Sequence, residues 1–115
     1  MARLEIGPTV EQLRELAEAA IDRHFEPVRL RMALYTRKVA RAEQHLAGQP
    51  SAMLNREAQR RHIKADDIAR QILALADADE AMEDQRIALK LKVRKALTAE
   101  KIRKLLSENG ITLGR

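Results

Sequence analysis

Residues 65–97 read ADDIARQILALADADEAMEDQRIALKLKVRKAL and contain neither Gly nor Pro. At a rise of 1.5 Å per residue, that stretch allows one helix on the order of 50 Å long. Asp66 and Asp67 fall where a helix first turn favours negative charge, which places the start near Ala65. Ile68, Ile72, Leu75, Asp79, Met82, Arg86, Leu89, Val93 and Ala96 then follow at alternating spacings of four and three, the pattern that keeps one seam facing one partner. The spacing persists through the middle of the stretch while its chemistry turns charged at Asp79 and Arg86. An isolated apolar seam does not select charge. These two positions therefore predict either that the pairing opens to water at their level or that another chain supplies counter-charges.

A partner for this seam lies upstream. Ala17, Ile21, Phe25, Val28, Met32, Tyr35, Val39, Ala42 and Leu46 repeat at spacings of three and four. Thr9 offers an N-cap oxygen and Gln12 completes a capping box, so the first long helix is expected over residues 9–47. Pro27 falls inside it and removes the bond to the carbonyl of Arg23; because the seam keeps its register there, a kinked continuation is expected and not two helices. Gly48-Gln-Pro-Ser51 is the clearest turn signal in the chain. Ser51 caps a short corner helix over 51–61, His62 to Lys64 make a second corner, and the second long helix covers 65–97. Thr98 caps a terminal helix over 98–109, closed at Gly110 with Ile111 folding back on Leu106 in a Schellman motif. Residues 1–8, with Leu4 and Ile6 alternating against polar neighbours before Gly7-Pro8, read as an extended N-terminal arm.

The expected fold is thus all-α: an antiparallel hairpin of two long helices with a short corner helix and a short C-terminal helix. The 115 residues suit a single helical domain, and the aromatic content of 2%, namely Phe25 and Tyr35, leaves few large side chains for its core. Such a hairpin buries little per residue, so completion by oligomerisation or by a partner is expected.

Catalytic chemistry finds no material here. With no Cys, thiolate metal sites and cysteine nucleophiles are excluded. His24, His45 and His62 share no metal-ligand spacing and read as surface or boundary residues. The acidic run Asp77, Asp79, Glu80, Glu83, Asp84 lies on a helix and lacks the central Gly of a calcium loop. Four Gly in total provide no phosphate-cradling loop, and neither Ser51 nor Ser107 has a nucleophile pattern around it. The expectation is a protein that is not an enzyme, with no cofactor, metal or small-molecule substrate. The first ten residues match neither a signal peptide nor a membrane span, so the expected site of synthesis is the cytoplasm, with no membrane partner.

Charge is the sharpest non-periodic feature. Asp66 to Asp84 holds seven acids and one base, whereas Arg86 to Lys104 holds eight bases and one acid, so the formal net charge of +5 is the small difference of opposed patches. The basic end permits nucleic acid as a partner, but no aromatic lies among its bases to stack on. Arg37 and Arg41 belong to a basic stripe on the first helix and are expected to face Asp77, on the same chain or a neighbouring copy. The candidate partner-contact residues are Leu4, Ile6, Arg37, Arg41, Asp79, Arg86, Lys90, Arg94 and Lys101.

Ala40-Arg-Ala-Glu43, Leu46-Ala47, Leu54, Glu57-Ala58 and the run Arg61-His-Ile63-Lys-Ala-Asp-Asp-Ile68-Ala-Arg-Gln-Ile72-Leu-Ala-Leu-Ala-Asp77, followed by Arg86 and Ala88, carry a further signal. Over roughly residues 35–90 the chain resembles a small helical family of phage and prophage tail modules, often described as tail-associated or tail-fibre assembly proteins. The resemblance implies a structural or virion-assembly protein acting through helix-mediated contacts with other phage subunits or itself, located in the virion if structural, with no catalytic residues to carry over. The alternatives are a small basic regulator that binds nucleic acid through residues 86–104, and a phage-encoded inhibitor of a host protein.

Overall fold

The computed structural model describes residues 7–113. The arm at residues 1–6, with Leu4 and Ile6, lies outside the described residues. Four helices follow in order: α1 Val10–Leu46, α2 Ala52–Arg61, α3 Ala65–Lys95 and α4 Ala99–Glu108. No strand occurs among the described residues. The protein is all-α, with α1 and α3 as the long antiparallel pair and α2 and α4 as the corner and terminal helices. Boundaries fall within a residue or two of those read from the sequence.

The ends explain themselves residue by residue. Thr9 Oγ1 accepts from Gln12 N–H at 3.1 Å while Gln12 Oε1 accepts from Thr9 N–H at 3.0 Å, a reciprocal capping box. α1 runs without interruption through Pro27. It closes with Gln49 N–H donating to the Gln44 carbonyl at 2.9 Å and Gly48 N–H to the His45 carbonyl at 3.1 Å, Gly48 taking φ 99°. That is a Schellman end, which needs a left-handed residue that Gly supplies without steric cost. α2 starts at Ser51, whose hydroxyl accepts from Leu54 N–H, and stops at His62, left-handed at φ 56° although it carries a Cβ. α4 is capped by Thr98 Oγ1 from Lys101 N–H at 3.1 Å. It ends in the second Schellman pair, Ile111 N–H to the Leu106 carbonyl and Gly110 N–H to the Ser107 carbonyl.

The described residues divide into two compact units, one of residues 7–26 with 84–113 and one of residues 27–83. In the first, the early part of α1, the late part of α3 and α4 enclose one apolar core. Leu13, Ile21, Val93 and Ile102 are fully buried, and Ile111 is folded in by the turn after α4. α3 ends at Lys95, where Arg14 of α1 donates from Nε to the Ala96 carbonyl at 3.1 Å, satisfying one of the acceptors a helix end leaves open. In the second unit the core is smaller and sits at the corner. Ala42, Leu54, Ile68 and Ala69 are buried, with Met53, Ala58, Ile63 and Ile72 packed around them.

Two stability predictions follow from burial and backbone. Ile102→Ala removes a fully buried side chain and lowers unfolding free energy by about 2–5 kcal/mol, whereas Leu97→Ala, at a side chain 83% exposed, changes it by less than about 0.5 kcal/mol. His62→Gly relieves a left-handed non-glycine and raises stability by about 1 kcal/mol. Urea denaturation of the three variants checks all of these.

Candidate functional site

Four sets of polar contacts connect α1 to α3 among the described residues; at the corner end His45 Nε2 meets Asp66 Oδ1 at 2.7 Å, and the other three redraw the role of the seam charges. In the 27–83 unit, Arg31 makes a two-pronged contact with Asp79, Nε to Oδ2 at 2.9 Å and the terminal nitrogen to Oδ1 at 2.5 Å. Asp79 is only 5% exposed. The hydrogen bonds and charge of Arg31 hold its carboxyl below the ordinary 3.8, outweighing the opposing effect of burial, and the same bonds raise Arg31. In the other unit, Asp22 receives Arg86 at 2.7 Å and Lys90 at 3.0 Å, and Glu18 receives Arg94 at 2.9 Å. Burial works to raise Asp22, but hydrogen bonds from Lys90 and Arg86 and their charges prevail, and its carboxyl is held below the ordinary value.

The expected choice between an opening to water and counter-charges from another chain is therefore corrected. α1 of the same chain supplies the counter-charges to both Asp79 and Arg86. The physical reason is economy of desolvation: a carboxylate at a helix seam keeps its charge where hydrogen-bonded cations offset its burial, as the forked guanidinium of Arg31 does on both oxygens of Asp79. Lys90 and Arg94, expected to meet a partner, likewise spend their charge on Asp22 and Glu18. Within the chain, the expected meeting of Arg37 and Arg41 with Asp77 does not occur. Interpolation between the Arg31–Asp79 and His45–Asp66 contacts places Arg37 level with Leu73. Arg41 instead donates to Met53 Sδ at 3.0 Å. Arg37 and Asp77 are exposed and form no ion pair among the described residues. Lys101 is exposed on the first turn of α4.

Sequence reasoning missed Glu18, Asp22 and the specific role of Arg31. The first two had a signal, since Glu18 and Asp22 stand four apart on α1 while Arg86, Lys90 and Arg94 stand four apart on α3, a complementary ladder across an antiparallel pair.

Beyond the corner core, the 27–83 unit carries an open groove of about 190 Å³, lined by Met32, Tyr35, Thr36 and Val39 of α1 and by Ile72, Ala76, Asp79 and Glu80 of α3. The Thr36 hydroxyl is satisfied by the carbonyls of Met32 and Ala33, at 3.0 and 3.3 Å, so its methyl is left to define the rim. Lys38 Nζ lies 5.3 Å from the centre of the Tyr35 ring, within cation–π range. Leu30, Leu34 and Leu75 of the same unit are also exposed, Leu34 to 78%. No three potential metal ligands cluster among the described residues, and no helix there is long and apolar enough to cross a membrane.

No family model, curated protein or solved structure matches this chain.

The pairing of Arg31 with Asp79 has a pH signature. A carboxyl whose folded value lies below its unfolded one contributes stability at neutral pH that is lost as pH falls through the folded value. Asp79→Asn is expected to have a lower thermal midpoint at neutral pH, with the gap closing below about pH 4. Arg31→Leu alone destabilises by stranding Asp79, while the Arg31→Leu, Asp79→Leu double variant recovers the wild-type midpoint or exceeds it. Calorimetric scans from neutral to acid pH would record both effects.

Proposed function

We propose that the protein is a phage structural or virion-assembly component, tail-associated, that works through helix-mediated contacts with other proteins. The observation that carries this reading is the groove of the 27–83 unit. Its lining is mostly apolar, and Leu30, Leu34 and Leu75 of the same unit are exposed, on a unit whose buried apolar cluster sits at the corner. Contiguous apolar surface rimmed by charge is the usual mark of a protein-binding site. The resemblance of residues 35–90 to tail-module proteins supports placing that contact in a virion or its assembly line.

A second reading has one specific observation in its favour. Lys92, Lys95, Lys101, Arg103 and Lys104 are exposed and take no part in ion pairs among the described residues, unlike Arg86, Lys90 and Arg94. Unspent cations of this kind bind nucleic-acid phosphate.

Photo-crosslinking separates the readings. A benzophenone amino acid at Tyr35, introduced during particle assembly, is expected to give crosslinks into a virion subunit or another copy of this chain. The protein-contact reading is contradicted if Tyr35 crosslinks to nothing while the chain binds nonspecific duplex with an affinity that falls steeply with salt and is abolished by reversing Lys92, Lys95 and Lys101.

A further inference from the structure

The charges around the groove are arranged so that the face complements itself. Arg29 and Glu43 lie seven residues either side of Thr36, on the row Arg29, Met32, Thr36, Val39, Glu43 that follows helical three-four spacing along α1. On α3, Arg70 and Glu80 lie five residues either side of Leu75, at the ends of the row Arg70, Leu73, Asp77, Glu80. The Arg31–Asp79 and His45–Asp66 contacts and the antiparallel sense of the helices put Thr36 level with Ala74, one residue from Leu75. Both rows thus have their charge-reversing midpoint at about the same height. Arg29, Glu43 and Glu80 are exposed and without an ion pair among the described residues, and Arg70 holds only an exposed contact to Asp67 at 3.3 Å.

A two-fold axis at right angles to the helices, passing at the level of Thr36, turns each row onto itself in the opposite sense. It lays Arg29 beside Glu43 of the second copy and Arg70 beside Glu80 of the second copy, twice each, as an isologous contact requires. We propose that the groove face of residues 27–83 docks on the same face of a second copy of this chain, an assignment that rests on the protein-contact reading and names its partner. The residues at the axis suit burial. Thr36 brings a hydroxyl already satisfied by its own helix, so covering it strands no donor. Ala33, Ala40 and Ala76 flank the groove and let helices approach closely, while Met32 and Tyr35 fill the opposing groove. α1 from Pro27 and α3 to Glu83 each present a strip about 30 Å long and about 10 Å wide, so the face covers about 600 Å² per copy. The total of about 1,200 Å² is the lower edge of what specific, stable interfaces bury. A dimer that forms at micromolar concentration fits that size.

Charge reversal with rescue tests the assignment on the full chain. Sedimentation equilibrium of the wild type is expected to give a dimer in the tens of micromolar by the size argument above. Arg29→Glu and Glu43→Arg each replace two attractive contacts by two repulsive ones and weaken self-association by roughly tenfold or more. The Arg29→Glu, Glu43→Arg double variant restores it, because only an interchain pairing of these two positions can be repaired by exchanging them. Circular dichroism of each variant, all at exposed positions, reports that the helices are kept. A wild type that is monomeric up to millimolar concentration, singles that dimerise as the wild type does, or a double variant no better than the singles would each overturn the assignment. A monomer that still crosslinks from Tyr35 into a different virion protein overturns the second copy alone and leaves the protein-contact reading standing; a monomer with no such crosslink removes both.

Discussion

Everything in this chain depends on charged contacts that tie α1 to α3 across an antiparallel pair. With Phe25 and Tyr35 as the only aromatics and mostly aliphatic side chains along both seams, apolar packing alone fixes the sliding of one helix along the other poorly. A seam of similar aliphatic side chains tolerates a shift by one turn. A buried carboxylate does not, because Asp79 moved by a turn would lose both nitrogens of Arg31 and remain buried without them. In the 27–83 unit that contact, with His45–Asp66 at the corner end, sets which residues face each other. In the other unit the ladder of Glu18 and Asp22 with Arg86, Lys90 and Arg94 has the same role, beside an apolar core made larger by α4. This is the use of buried charge for specificity, the companion of its poor yield in stability.

The sequence was most informative where local backbone chemistry decides the outcome. Thr9 with Gln12, Ser51, Thr98, Gly48 and Gly110 act within a few residues of themselves, so each helix end could be read without knowing what packs on it. That α1 continues past Pro27 was legible too, from the apolar register the sequence keeps on either side of it. The seam charges were visible as anomalies, yet their partners were not. Finding Arg31 requires the register of the pair, and counting from the corner overestimates how far along α3 Arg37 reaches. The turn itself contains a helix, α2, whose packing on Ala42 and Ile68 sets where the long helices start to face each other. A left-handed His62 was also outside what residue preference indicates, since Gly or Asn is the usual occupant.

The candidate site was only partly legible for a related reason. Of the expected contact residues, Asp79, Arg86, Lys90 and Arg94 turn out to serve the fold, each engaged by α1. What the fold leaves unspent is different: an apolar groove with the exposed charges Arg29, Glu43 and Glu80 in the 27–83 unit, and exposed lysines around α4 in the other. Surface that is neither solvated by design nor covered within its unit carries the functional proposals. A protein this poor in large side chains has its binding surface where its core runs out.

The claim that polar contacts set the register of α1 against α3 is tested most directly by pulsed electron–electron spin-resonance distances. Spin labels at the exposed positions Arg37 and Ala74 would be compared in the otherwise wild-type chain and with Arg31→Ala and Asp79→Ala added. The account predicts a narrow distribution for the first, and for the second a broadened one or a second population displaced along the helices by about one turn, 5.4 Å. A distribution unchanged in position and width after both charges are removed would contradict it, and would return control of the register to the apolar seam.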